Sequence, residues 1–340
     1  MRILFVQTVP YLPQEIGGGI TNTDALCRAL AARQHDVMVL CKSRKGLIVG
    51  LTGWTKRYKL DYPVLRVDNP REAVERVCRR FRPDVAVVQF GAIADLVAAF
   101  RVAGVPVLAY LHDGASIEQV DRGADAYAAC SSVVAAALSE RVGVNATVLP
   151  VIIDSGAYRV ERPGDCVTFI NPIPRKGVEI AFELAARRPE IPFQFVEAWK
   201  LRGRVRKYLL QRTSHHGNIR LFSPVQDMRS IYSRTRVMLV PSLWQEAWGR
   251  IVSEAQVSGI PALVSDSGGL PQAVGEGGTI VPRDAPIADW SAALDRLWFD
   301  QAFYRGKSKL ALDHSMRPEF SVESIVGQFL SLVLSFAKPQ

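Results

Sequence analysis

Pro241-Ser242-Leu243-Trp244-Gln245-Glu246-Ala247-Trp248-Gly249-Arg250-Ile251-Val252-Ser253-Glu254-Ala255 changes its pattern twice. The apolar run 237–240 stops at Pro-Ser, which reads as a buried strand ending abruptly. A loop carrying Glu246 follows and closes at Gly249. From Arg250 the apolar positions Ile251, Val252 and Ala255 take helical spacing, and Gly259 with Pro261 supplies the stop. One carboxylate therefore sits in the loop, and Glu254 lies about one turn inside the helix. Between them is a helix start with free backbone N–H groups and a positive dipole end. The arrangement suits a ligand with an anionic middle and a hydroxyl-rich group on each side. Taken alone, the stretch has a structural reading as well. Glutamates at this spacing recur by chance, and one near a helix start is a favourable dipole partner.

Outward from this stretch, length and composition bound the answer. A chain of 340 residues exceeds one ordinary core, so two domains are expected. Hydrophobic residues at 48% and charged residues at 22% match a soluble globular protein. No uncharged apolar stretch reaches the roughly 18 residues of a membrane span. Residues 1–6 enter a strand pattern at once with no small-residue cleavage site behind it, so no signal peptide is expected. The five cysteines are dispersed, none at metal-ligand spacing, which fits a reducing, cytoplasmic location.

The net charge of +9 favours anionic partners. It is concentrated in three clusters. The first, across residues 42–59, holds Lys42, Arg44, Lys45, Lys56, Arg57 and Lys59. It is interleaved with Leu47, Ile48, Val49, Leu51, Trp54 and Tyr58. Such a mixture suits peripheral contact with an anionic membrane at its inner face. The second (Arg76, Arg79, Arg80, Arg82) and third (Lys200, Arg202, Arg204, Arg206, Lys207, Arg212) read as solvated faces. None interleaves aromatics in a sheet pattern, so no nucleic acid is expected as a partner.

Taken in order, the chain alternates strand and helix. Strands are expected over 2–8, 36–41, 63–67, 84–90, 106–111, 126–130 and 146–149, with helices over 20–33, 71–81 and 93–102. Residues 11–19, ending in Gly17-Gly18-Gly19, read as a loop that lets a ligand approach the backbone. They lack the Gly-x-Gly-x-x-Gly spacing, and Lys42 rather than an acid follows the next strand, which argues against a nicotinamide enzyme. Residues 150–156 read as a crossing, after which the alternation restarts with strands at 166–170, 193–196, 219–222, 237–240 and 261–264. The near-continuous apolar strands imply parallel sheets covered on both faces, with ligands at the strands' carboxyl ends. The fold expected is α/β, two doubly wound Rossmann-like domains facing a cleft, over 1–153 and 154–318. An amphipathic helix within 319–340 packs back on the first.

The order of these pieces resembles the retaining glycosyltransferases of family four, which have the GT-B fold. The resemblance rests on Gly18-Gly19 after the first strand, His112 at a strand end, Asp154 at the crossing and Lys176-Gly177 after the first strand of the second domain. It continues with Glu246 and Glu254 in the opening stretch and Gly268-Gly269-Leu270-Pro271. It implies a nucleotide diphosphate sugar donor bound by the second domain, and a saccharide, lipid-linked or small-molecule acceptor bound by the first. No cofactor and no metal are implied, and no Asp-x-Asp is present. Arg175, Lys176, Gly18, Gly19, Gly249 and Arg250 would hold the diphosphate. Glu246, Ala247 and Trp248 would hold the sugar, and Glu254 the ribose diol. His112 would act with Glu246 in catalysis, hydrogen-bonding the donor sugar. A nucleotide-sugar epimerase of the same architecture is the alternative. Departures are Asn171 where the family carries Arg, Gln272 where an acid is common, and Trp244 and Trp248 in the Glu246 loop. Residue by residue, plainer readings stand beside these: a strand-end histidine for His112, a solvated lysine for Lys176, turn residues for Gly18 and Gly19, and a turn cap for Asp113.

Overall fold

Strands that are apolar along their whole length must be covered on both faces, and here they are. The computed structural model describes residues 1–44, 60–161, 164–199 and 201–337. The chain divides into two units, Met1–Ile152 with Glu319–Gln340, and Ile153–Pro318. Residues 45–59, most of the basic stretch expected to meet a membrane, lie outside the described residues. Among the described residues, no helix is long and apolar enough to cross a membrane.

The first unit holds a seven-stranded sheet. Its strands are β1 (Arg2–Val6), β2 (Asp36–Lys42), β3 (Val64–Val67), β4 (Val85–Val88), β5 (Val107–Leu111), β6 (Ala126–Ala129) and β7 (Thr147–Val148). They run parallel in the order β3-β2-β1-β4-β5-β6-β7. All of β4 and β5 is buried, as expected for strands with helices on both faces. The order reverses between β1 and β4, the position at whose carboxyl ends open parallel sheets bind ligands. The helix Val322–Leu334 completes this unit. Its stripe of Ile325, Val326, Phe329 and Val333 is buried in the same core as β1, with the Phe329 ring stacked on Phe5 at 6.2 Å. The C-terminal segment thus packs back on the first domain, its apolar period matched to a face it must cover.

The second unit repeats the plan with six parallel strands. They are β8 (Cys166–Ile170), β9 (Phe193–Val196), β10 (Ile219–Phe222), β11 (Thr235–Val240), β12 (Ala262–Ser265) and β13 (Gly278–Val281). The order is β10-β9-β8-β11-β12-β13, reversing between β8 and β11. β13 escapes a reading by pattern because it is short and opens on Gly278. A Cβ there would lie 2.1 Å from the Ala262 carbonyl oxygen, so β12 and β13 pair closely only with glycine in place. The helix Gly203–Thr213 escapes it because only Leu209 is buried along it. Two of its basic residues find partners: Arg206 lies 3.3 Å from Glu197, and Arg212 lies 3.2 Å from Glu179 while stacking on Phe182, whereas Arg204 and Lys207 are exposed. Arg76, Arg79, Arg80 and Arg82 line an exposed face and its end.

Candidate active site

In the second unit the chain leaves β8 through Asn171, in the left-handed region at φ 65°. It makes a short turn over Pro174–Lys176 and enters the helix Val178–Arg187 through Gly177 at φ 81°. A Cβ on Gly177 would lie 1.9 Å from the Pro241 carbonyl oxygen, so glycine alone lets this loop seat against the end of β11. The Arg175 carbonyl then accepts from the Leu243 and Trp244 N–H groups at 3.0 Å each. The loops after β8 and β11, the two strands flanking the reversal of order, are tied together by backbone.

That tie brings Lys176 to Glu246, across 70 residues of sequence. Lys176 Nζ donates to Glu246 Oε1, with the two side chains 23% and 13% exposed. Arg175 stands beside them with its guanidinium 5.3 Å over the Trp244 ring. Glu246 is held from behind by the loop after β12. Gly269 N–H donates to the Glu246 carbonyl at 2.7 Å, and a Cβ on Gly268 would fall 2.1 Å from that oxygen. A Cβ on Gly269 would fall 2.4 Å from the Ala247 carbonyl oxygen. The Gly-Gly turn is thus a backbone seat for the Glu246 loop. Trp248 is buried and donates from Nε1 to Ser253 at 3.0 Å, while Leu243 and Trp244 are about half exposed. Gly249 takes φ 102° to start the helix Arg250–Gln256.

Glu254, in that helix, is buried with donors on both oxygens. Arg250 Nε donates to Oε1 at 2.8 Å, and the Tyr232 hydroxyl donates to Oε2 at 2.7 Å. Arg250 is turned inward and donates from Nη2 to the Tyr158 hydroxyl at 3.3 Å. Burial works against the Arg250 charge, but Glu254 and Tyr158 outweigh it and its pKa stands above the ordinary value. Burial, then the charge of Glu254, raises Tyr232 well above the usual tyrosine value, which keeps it a hydroxyl donor. Tyr232 and Tyr158 carry no sequence signal for this role. Asp154, singled out at the crossing, accepts from Gly156 N–H at 3.0 Å and caps the short helix Ser155–Tyr158 that delivers Tyr158.

His112, Gly18 and Gly19 belong to the first unit, just past the carboxyl end of β5 and in the first turn of the helix Gly18–Ala31. The helix begins two residues earlier than its apolar period suggests, so these glycines are helical rather than part of the preceding loop. Gly19 permits close packing: a Cβ there would lie 2.5 Å from Phe90 Cζ and 2.8 Å from His112 Cβ. The imidazole lies 5.1 Å from the Phe90 ring and 4.1 Å from the Tyr110 ring. Nε2 is 2.6 Å from Gln89 Oε1, which also accepts from Thr23 Oγ1 at 2.7 Å. An amide oxygen only accepts, so Nε2 carries the proton and Nδ1 keeps a bare lone pair, buried and without a partner. Burial lowers His112 from 6.5 to about 3, so the ring is neutral. Asp113, next to it, accepts from Ser116 N–H at 2.7 Å and caps the turn Ala115–Gln119. Among the described residues, no three His, Cys, Asp or Glu side chains are grouped to hold a metal ion.

Residues 16–155 match the Glycosyltransferase Family 4 model, and residues 168–300 match that of Glycosyl transferases group 1. The D-inositol 3-phosphate glycosyltransferase of Corynebacterium aurimucosum is 34% identical over 95 residues, which is 28% of this chain and 22% of the relative. The match thus spans about a fifth of that relative's length. Anabaena HepE, solved in complex with UDP-glucose, superimposes with a TM-score of 0.80 at 17% identity, over 98% of this chain and 100% of that one. The sucrose-phosphate synthase of Thermosynechococcus elongatus gives 0.79 at 18% identity, over 98% and 99%. At such identities the structures speak for the fold, two Rossmann-like units of the GT-B type. With most of each unit covered by a family model, the chain belongs to the family-four glycosyltransferases.

Proposed function

We propose that the protein is a retaining, metal-independent glycosyltransferase that moves a sugar from a nucleotide diphosphate sugar to a saccharide, lipid-linked or small-molecule acceptor. One observation carries the reading: Lys176 and Glu246 meet where the strand order of the second unit reverses, the place where open α/β sheets bind ligands. A cation there can neutralise a leaving diphosphate and a carboxylate can accept from sugar hydroxyls. Arg175 adds a second positive charge. Glu254, oriented by Arg250 and Tyr232, has the acceptor geometry for a vicinal diol. In the first unit, neutral His112 offers Nδ1 as an acceptor for a substrate hydroxyl. The acceptor oxygen bonds the anomeric carbon on the side from which the sugar–phosphate bond breaks, and its proton passes to the departing phosphate oxygen. No protein base is then required. HepE's complexes with UDP and UDP-glucose make uracil the first base to try, and the relatives' name makes a phosphorylated polyol a first acceptor.

A thermal-shift panel of nucleotide sugars on the wild type and on Lys176→Ala tests the donor half. One nucleotide series should raise Tm in the wild type by mass action and fail to do so in the variant. A panel without effect on the wild type contradicts the reading.

A further inference from the structure

We propose that the Lys176–Glu246 pair makes the site discriminate the intact donor from the free nucleoside diphosphate. The inference rests on the donor reading above. Both ends of the pair are carried by backbone packed closely against a neighbouring loop. Gly177 is seated on Pro241, and the Glu246 loop is wedged against Gly268 and Gly269. Adjustment therefore falls to the flexible Lys176 stem. A bound diphosphate draws Lys176 Nζ toward its own oxygens, as a charge-assisted donor is drawn to the more highly charged acceptor. Glu246, only 13% exposed, then loses its counter-charge in a poorly hydrated place and faces a second anion nearby. Sugar hydroxyls of an intact donor replace the lost N–H with O–H donors. A free nucleoside diphosphate brings none, so it meets a stranded carboxylate. The exchange favours donor entry and speeds release of the nucleotide product.

The test reads a sign that a merely structural carboxylate would not give. Calorimetric titration uses wild type, Glu246→Gln and Glu246→Ala with three matched pairs: UDP and UDP-glucose, GDP and GDP-glucose, ADP and ADP-glucose. Cooperative thermal unfolding selects whichever variant is folded. The diphosphate that wild type binds should bind the variants about three- to tenfold more tightly, because the pair no longer has to be opened. Its sugar conjugate should bind more weakly, reversing the wild-type preference. A diphosphate affinity that is unchanged or reduced in a folded variant overturns the proposal while leaving the donor reading intact. Absence of binding by all six compounds to the wild type overturns the donor reading and this inference with it.

Discussion

The Tyr232 hydroxyl donates to Glu254 Oε2 at 2.7 Å, opposite the Arg250 donation to Oε1. The carboxylate is thereby fixed in rotation and its charge balanced inside the second unit. Tyr232→Phe removes one charge-assisted bond and should cost about 1.5–3 kcal/mol in urea unfolding. Glu254→Ala should cost more, about 3–5 kcal/mol, because Arg250 is left buried without its carboxylate. Equal costs would show that the carboxylate is not the centre of this cluster.

Gly19→Ala forces a methyl to within 2.5 Å of Phe90 and 2.8 Å of His112. Overpacking of this kind should cost about 1–3 kcal/mol and displace the imidazole. Gly17→Ala is the internal control. Nothing lies within 4 Å of its Cβ position, and its φ of −169° is extended backbone open to any residue. Melting curves should separate the two variants clearly.

Gly268→Ala meets a left-handed φ of 61° and the Glu246 carbonyl oxygen at 2.1 Å. The strain should cost about 1 kcal/mol or more. Because what must move is the backbone of Glu246, donor affinity should fall as well. Affinity unchanged in a destabilised protein would detach the Gly-Gly turn from the site.

His112 supplies a pH signature. Its folded pKa of about 3 lies below the unfolded 6.5, so the unfolded state takes up the proton first as pH falls. Its stabilising contribution is complete above pH 6.5 and is lost progressively between 6.5 and 3. At pH 5 the loss should be about 2 kcal/mol relative to pH 7. His112→Asn should flatten that part of the stability profile, measured by urea unfolding at both pH values. An unchanged slope would mean that the imidazole is not held neutral by burial.

The layout of strands was legible because buried parallel strands such as Val85–Val88 and Val107–Leu111 are apolar along their length. The C-terminal helix was legible because Ile325, Phe329 and Val333 keep its period. β13 and the helix Gly203–Thr213 were hidden, one by its glycine start and the other by having a single buried residue. At the site, the residue types carried the reading, but partnerships over long sequence distances did not show. Lys176 reaches Glu246 only because two loops leave adjacent strands, and Tyr232 reaches Glu254 from the short helix Arg229–Tyr232 that leads into β11. Gly19 was read as part of a loop open to a ligand and Gly177, Gly268 and Gly269 as motif positions, whereas all four are close contacts that fix what lies beside them.

Sugar transfer through the Lys176–Glu246 site is tested most directly by following a donor labelled with carbon-13 at its anomeric carbon. The protein is incubated with the donor that raises its Tm and a panel of acceptors, and the label is read by NMR. The signal should move from the phosphate-linked to a glycosidic position of the same anomeric configuration, with one nucleoside diphosphate released per glycoside. Glu246→Ala combined with His112→Ala should abolish it. An epimerised nucleotide sugar formed without acceptor, or transfer undiminished in the double variant, would contradict the account.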